Sequence, residues 1–258
     1  MRIFAPAALL FLTASCATAP ETGTAWRPLF DGKTLAGWTP KVTGYAFGED
    51  PHRFFRAENG AIRVSYDNYP RFTGAFGHLH YKTPFSAYRV RFEYRFSGSA
   101  VPGAADWQHS NSGIMLHGQP PETIGRNQEF PVSLEMQLLG AERPKPEPSG
   151  NLCTPGTNVV MNGKLETEHC ILSTSPVLPN HRWIRAEAEV TRDGHVTHFI
   201  KGQPVLRYSA PQYDPTDADA KPLIAAAGGR LAVTGGYLSL QAEGHPVEFR
   251  NIEIRELD

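Results

Sequence analysis

Three cysteines are few for 258 residues, and no two are spaced C-x-x-C. That excludes a zinc-ribbon type of site and a disulfide-dense small scaffold. Neither sign of charge is in excess, with 25 Lys and Arg against 26 Asp and Glu and a formal net charge of -1. So balanced a chain has no electrostatic reason to seek nucleic acid or an anionic membrane surface. Long apolar runs are also missing: the one from Ile3 to Leu12 is too short to span a bilayer comfortably. Extended stretches of helix-forming residues are absent, and no internal repeat recurs, which removes helical bundles and solenoids. Instead there are 24 glycines and 22 prolines in a chain that is 40% hydrophobic. Many short strands joined by turns fit that balance.

The N-terminal stretch "MRIFAPAALLFLTASCATAPETG" reads as a targeting signal, with Arg2 followed by the apolar run and the small residues "TAS" before Cys16. Signal, small residues and Cys together resemble a bacterial lipoprotein signal, which assigns residues 1–16 to the signal region and makes Cys16 the lipidation site. A plain secretory signal with an incidental Cys is the alternative. Either way the expectation is an exported protein, periplasmic or anchored to the outer membrane of a bacterium, meeting the membrane only through that lipid. Residues 17–25 lack large apolar groups and read as a tether, and 26–258 as one domain with no internal linker. In an oxidising compartment Cys153 and Cys170 are expected to form a disulfide. Two buried thiols are the alternative, and a metal pair a weaker one.

Several segments alternate apolar and polar residues with period two, the mark of half-buried strands. "YRVRFEYRF" puts Tyr88, Val90, Phe92, Tyr94 and Phe96 on one side. "WIRAEAEVT" and "VTHFIKGQPVLRY" flank "RDG", a hairpin turn, and "VEFRNIEIREL" changes phase near Asn251, which predicts a β-bulge. The class is all-β, two antiparallel sheets facing each other in a sandwich or jelly roll. Two long irregular segments interrupt it, "SGSAVPGAADWQHSNSG" and residues 140–180, with disorder the competing expectation for 141–150.

Chemistry gathers on the polar faces. In "PVSLEMQLLG", Leu134, Met136 and Leu138 share one face and leave Glu135 and Gln137 on the other. Arg95, His117, Gln241, Glu243 and His245 also fall on polar strand faces or strand ends. If these strands adjoin, they line one surface whose carboxylates, amides and guanidinium groups match a hydroxyl-rich saccharide. Trp107 is placed to stack on a sugar ring. Each residue alone reads as a solvated strand face with cross-strand charge pairs.

In order along the chain, "LFDGKTLAGW", "FRAENGAIRV", "YRVRFEYRF", "NSGIMLHG", "LEMQLLG", "KGQPV" and "GGYLSLQAEGHPVEFRNIEIREL" resemble the 3-keto-disaccharide hydrolase domain family over essentially all of residues 26–257. The resemblance implies a concanavalin-like, laminin-G-type β-sandwich and a hydrolase or lyase acting on glycosides already oxidised at C3. The ketone acidifies the C2 proton, so a positioned base can remove it, the aglycone leaves from C1, and water adds. On that reading Glu135 is the base and His245 or Glu243 the second acid or base, while Asn111, Gln137, Arg95, Gln241 and Trp107 hold the sugar. His117 stands where the family more often has Arg, and His169 is a candidate to cap the pocket. A divalent cation on Glu135, Glu243 and His245 is a candidate cofactor without a spacing motif to support it. The competing class is a laminin-G or lectin-like module that binds glycan without altering it. Oligomeric state is not encoded in any pattern visible here.

Overall fold

A computed structural model describes residues 25–257. Cys16, the signal region 1–16 and nearly all of the 17–25 tether lie outside the described residues. Two antiparallel sheets pack face to face. In the seven-stranded sheet, β12 (Cys170–Ile171), β9 (Asn151–Cys153), β8 (Leu134–Leu139), β7 (Asn111–Gly118), β16 (Tyr237–Ala242), β5 (Gly77–Tyr81) and β2 (Trp38–Val42) follow one another from edge to edge. The ten-stranded sheet runs β11 (Lys164–Glu166), β10 (Thr157–Met161), β15 (Gln203–Tyr213), β14 (His195–Ile200), β13 (Ile184–Val190), β6 (Tyr88–Phe96), β17 (Val247–Glu256), β4 (Ala61–Val64) and β3 (Phe55–Glu58), with β1 (Arg27–Pro28) paired to β17.

Alternation sets which side chains meet. From β6 and β17, Tyr88, Val90, Phe92, Tyr94, Phe96, Phe249 and Ile254 point inward and are buried. Facing them are Leu79, Ile114, Leu134, Met136, Leu138 and Leu240 of the other sheet. The expected bulge is present: register between β17 and β6 shifts between Arg250 and Glu253, with Asn251 at φ 52°. That extra residue keeps Ile252 and Ile254 on the core side. The "RDG" turn also forms, closed by Gly194 N–H donating to the Thr191 carbonyl at 3.0 Å between β13 and β14.

The outer face of the ten-stranded sheet is a ladder of cross-strand ion pairs. Arg89 meets Glu187, Arg91 meets Glu253 at 2.7 Å and Arg250 meets Glu93 at 2.7 Å. Arg95 belongs to this ladder: it pairs with Glu248 and stacks on Trp183, 4.5 Å from the ring centre. Its place among the sugar-holding residues is therefore corrected, because the whole sandwich separates it from Glu135. Residues 140–180 are also more regular than expected, since they carry β9 to β12. The 141–150 stretch is fixed at its end by Ser149, whose hydroxyl meets Tyr94 Oη at 2.7 Å.

A buried peg ties the sheets together beside this stretch. His198 is fully buried; its Nδ1–H donates to the Gly150 carbonyl at 3.0 Å, so Nε2 is left to accept from Tyr208 Oη at 3.0 Å. Burial pushes its pKa down to about 4. Above pH 6.5 neither folded nor unfolded chain protonates it, and its contribution to stability is whole. As pH falls from 6.5 towards 4 the unfolded chain gains a proton that the folded one refuses, and about 1.4 kcal/mol is lost per pH unit. Urea unfolding between pH 7 and 4 should therefore show a stability slope that is shallower by one proton in His198→Asn, and an unchanged slope would contradict the peg.

Candidate active site

The outer face of the seven-stranded sheet carries polar side chains that are almost wholly buried. Register places Glu135 of β8 opposite Met115 of β7 and Cys153 of β9, and Gln137 opposite Gly113 and Asn151. On the other side of β7, Ser239 and Gln241 of β16 pair with His80 and His78 of β5. A polar face would normally be open to water; here Glu135 is 6% and Gln241 0% exposed. Loops from both long irregular segments, together with residues 119–131, fold over it.

The Glu135 side chain leans across β7 over Gly113. A Cβ on Gly113 would stand 2.7 Å from Glu135 Cγ and 2.9 Å from Cδ, so only glycine leaves room for the carboxyl there. Glu243, one residue past β16, is fixed through its backbone: Gln108 Nε2 donates to its carbonyl at 2.9 Å, and the following Gly244 N–H donates to Tyr66 Oη at 2.6 Å. Gly244 sits at φ +104°, which ends the strand. Both carboxyl groups line one cavity of about 590 Å³ with Asn111, Gln137 and Arg143. Its walls are apolar: Trp107, Phe130, Pro155, Leu172 and the Cys153–Cys170 disulfide. This volume suits a small ligand. A second, more open cleft of about 770 Å³ shares Phe130, Pro155 and His169 with it but contains neither carboxyl.

Electrostatics in this cavity is set by burial. Taking Glu135 out of water raises its pKa to about 8. Glu243 rises well above the carboxylate range, first by burial, then by repulsion from Glu135, with Arg143 acting in the opposite direction. Both shifts run upward, so burial and mutual repulsion oppose ionisation of the two carboxyl groups together at neutral pH. Hydrogen-bonding capacity is left over: Glu135 Oε1, Glu243 Oε2, Asn111 Oδ1 and both Gln241 amide atoms are buried without a partner. Buried polar atoms ordinarily have partners, and a hydroxyl-rich ligand would supply them.

The remaining sequence candidates separate. Asn111 donates to the Trp107 carbonyl at 3.0 Å and lies in the cavity beside it, and Gln137 accepts from Asn151 Nδ2 at 3.0 Å. His169 also lines the cavity, at the boundary with the open cleft. His245 is elsewhere. Its Nδ1 accepts from Ser110 N–H at 3.0 Å and its ring packs edge-on against Phe96, because the turn at Gly244 sends residues 243 and 245 in different directions. Burial, with His109 and His181 adding to it, lowers its pKa to about 4, so it is neutral. His117, at φ 50° in a register shift of β7, also turns away; Nε2–H donates to the Ser86 carbonyl at 3.0 Å and the ring meets Tyr88. Among the described residues, no group of three or more His, Cys, Asp or Glu side chains is arranged to hold a metal ion. The set Glu135, Glu243 and His245 is not assembled.

Arg143 and Glu147 escaped the sequence reading because nothing periodic marks them in "ERPKPEPSGN". Phe130 and Leu172, on loops, give no signal either. His78 and His80, neutral because burial drives their pKa values down, occupy the same sheet face beneath Phe130 and Phe47. They were legible as polar positions two apart in "GHLHY". Retention of a proton by the carboxyl pair is measurable: infrared difference spectra at pH 7 should show a protonated carboxyl C=O band that disappears in Glu135→Gln/Glu243→Gln. Two ionised carboxylates in the native protein would contradict the pairing.

Comparison with known proteins agrees with this architecture. No curated protein matches the sequence. Among solved structures, the chain is similar to a "putative glycosyl hydrolase" from Parabacteroides distasonis, with 20% identity and a TM-score of 0.54 over 90% of this chain and 94% of that one. A protein with a galectin-like fold from Bacillus subtilis gives 10% identity and a TM-score of 0.50, covering 86% of this chain and 90% of the other. The VIP36 exoplasmic/lumenal domain bound to Ca2+ and Man3GlcNAc gives 8% identity and a TM-score of 0.50, covering 88% and 86%. These likenesses establish the sandwich fold. The family model described as a 3-keto-alpha-glucoside-1,2-lyase-like domain matches residues 25–255, nearly the whole described chain, and the protein belongs to that family.

Proposed function

We propose that the protein cleaves the glycosidic bond of 3-keto-glycosides by elimination and hydration, with Glu135 and Glu243 as the working pair. The observation that carries this reading is the two buried carboxyl groups that line one cavity, where burial and their mutual repulsion hold both above the usual carboxylate range. Such a pair presents a base and an acid at once. The ionised Glu135 takes the C2 proton, and the electron pair of the C2–H bond moves towards the C3 carbonyl. As the carbonyl re-forms, the C1–O bond breaks; its electrons go to the aglycone oxygen, which receives a proton from Glu243. The product is a sugar with a C1=C2 double bond conjugated to the ketone. Water then adds: Glu243 takes a proton from it as its oxygen bonds to C1, Glu135 returns its proton to C2, and both carboxyls are back in their starting states. Asn111, Gln137 and Gln241 hold the sugar hydroxyls, and Trp107 lies against the ring.

The same surface serves a module that binds glycan without cleaving it, and the test separates the two. Purified protein would be incubated with a chromogenic 3-keto-glucoside and with the unoxidised glucoside, with and without chelator. Aglycone release from the keto sugar alone, abolished in Glu135→Gln, is the expected result. Saccharide binding with no release from either would overturn the enzyme reading in favour of the binding module. Loss of release with chelator would make a divalent cation part of the reaction. Gly113→Ala should lower turnover about 100-fold by displacing the base, while the melting temperature moves little. Unchanged turnover in that variant would contradict the role of Glu135 over the glycine.

A further inference from the structure

Arg143 lies in the same cavity as the carboxyl pair and has donors to spare. Only 8% of its side-chain surface is exposed, and its one ion pair is with Glu147, Nη2 to Oε2 at 3.5 Å. Its Nε and Nη1 are buried with no hydrogen-bond partner. A buried guanidinium with unused N–H groups is costly unless something accepts from them. Neighbouring Asn111 has an unpartnered acceptor, Oδ1, and Glu135 and Glu243 complete that side of the cavity.

We propose that Arg143 is a further catalytic residue, its free N–H groups receiving the C3 oxygen of the substrate as negative charge develops there. This rests on the reading of the site as one that cleaves keto-glycosides. The charge balance favours a neutral ketone over an anionic sugar as the ligand. Glu147 already faces Arg143, and the two buried carboxyl groups already resist negative charge in this cavity. A sugar carboxylate would add a negative charge beside two buried carboxyl groups that already resist one. A neutral ketone adds none. When Glu135 accepts the C2 proton its charge is cancelled, and the same charge reappears on the C3 oxygen beside Arg143. The total within the cavity is constant through the step; charge only moves from a carboxylate to a site that faces a cation. A donor aimed at developing charge in this way acts on turnover more than on ground-state binding.

Arg143→Ala and Arg143→Lys would be assayed on a 3-keto-glucoside for kcat and KM and, separately, for exchange of the C2 hydrogen with deuterated solvent, with a glucuronide as a competing anion. The expected result for Arg143→Ala is a fall in kcat and in C2 exchange of about 100-fold or more, KM within a few-fold, and partial recovery on adding guanidinium. Arg143→Lys, which keeps the charge and the fold should the alanine variant not be folded, should retain more activity than alanine but less than the native protein. Turnover within three-fold of native in either variant would overturn the proposal. So would a change in KM alone, or glucuronide inhibition in the native protein that disappears in Arg143→Ala, since Arg143 would then be an anchor for a substrate carboxylate. Native protein that cleaves no keto-glycoside would instead sink the underlying enzyme reading.

Discussion

Two buried carboxyl groups line one cavity, and most of the local architecture answers to that fact. Glu135 reaches this space only because Gly113 on the adjacent strand has no side chain. Glu243 is held there by its backbone, through Gln108 and Tyr66, and so its carboxyl is free of structural hydrogen bonds. Burial of either group alone would leave a protonated, chemically idle acid. Placing them together, with Arg143 at the side, makes a site whose protonation is determined by the pair. The rest of the sandwich is the rigid support that keeps the two strands carrying them two positions apart.

The two sheets divide their work. On the ten-stranded sheet the outward polar residues are consumed by one another: arginines lie on Trp26, Trp183 and Phe199 and pair with glutamates of neighbouring strands. On the seven-stranded sheet the outward polar residues are left with unused hydrogen-bonding atoms, and loops cover them. The same amino-acid alternation thus produces a self-satisfied face and an unsatisfied one. Ligand chemistry belongs to the second.

This difference also explains what could be read from the sequence. Period-two alternation identified β6, β8, β16 and β17, the bulge near Asn251 and the inward and outward faces correctly, because each depends on residues adjacent in the chain. It placed Glu135, Gln137, Gln241 and Glu243 on polar positions for the same reason. It grouped Arg95 with them because alternation reveals a face but not which sheet the face belongs to. His117 and His245 were misplaced by local breaks in the backbone, a left-handed residue in one case and the turn at Gly244 in the other. Arg143 was invisible: an irregular loop has no period, and its position depends on contacts such as Glu147 and the Ser149–Tyr94 bond nearby.

The disulfide has a consequence beyond its effect on stability. Cys153 is the direct cross-strand neighbour of Glu135, and its bond to Cys170 forms part of the wall around the carboxyl pair. One side of the chemical site is therefore a covalent link that chain folding alone does not make. Completion of the pocket waits on transfer of two electrons to an external acceptor, and the moment at which the site matures is set by the redox history of the molecule.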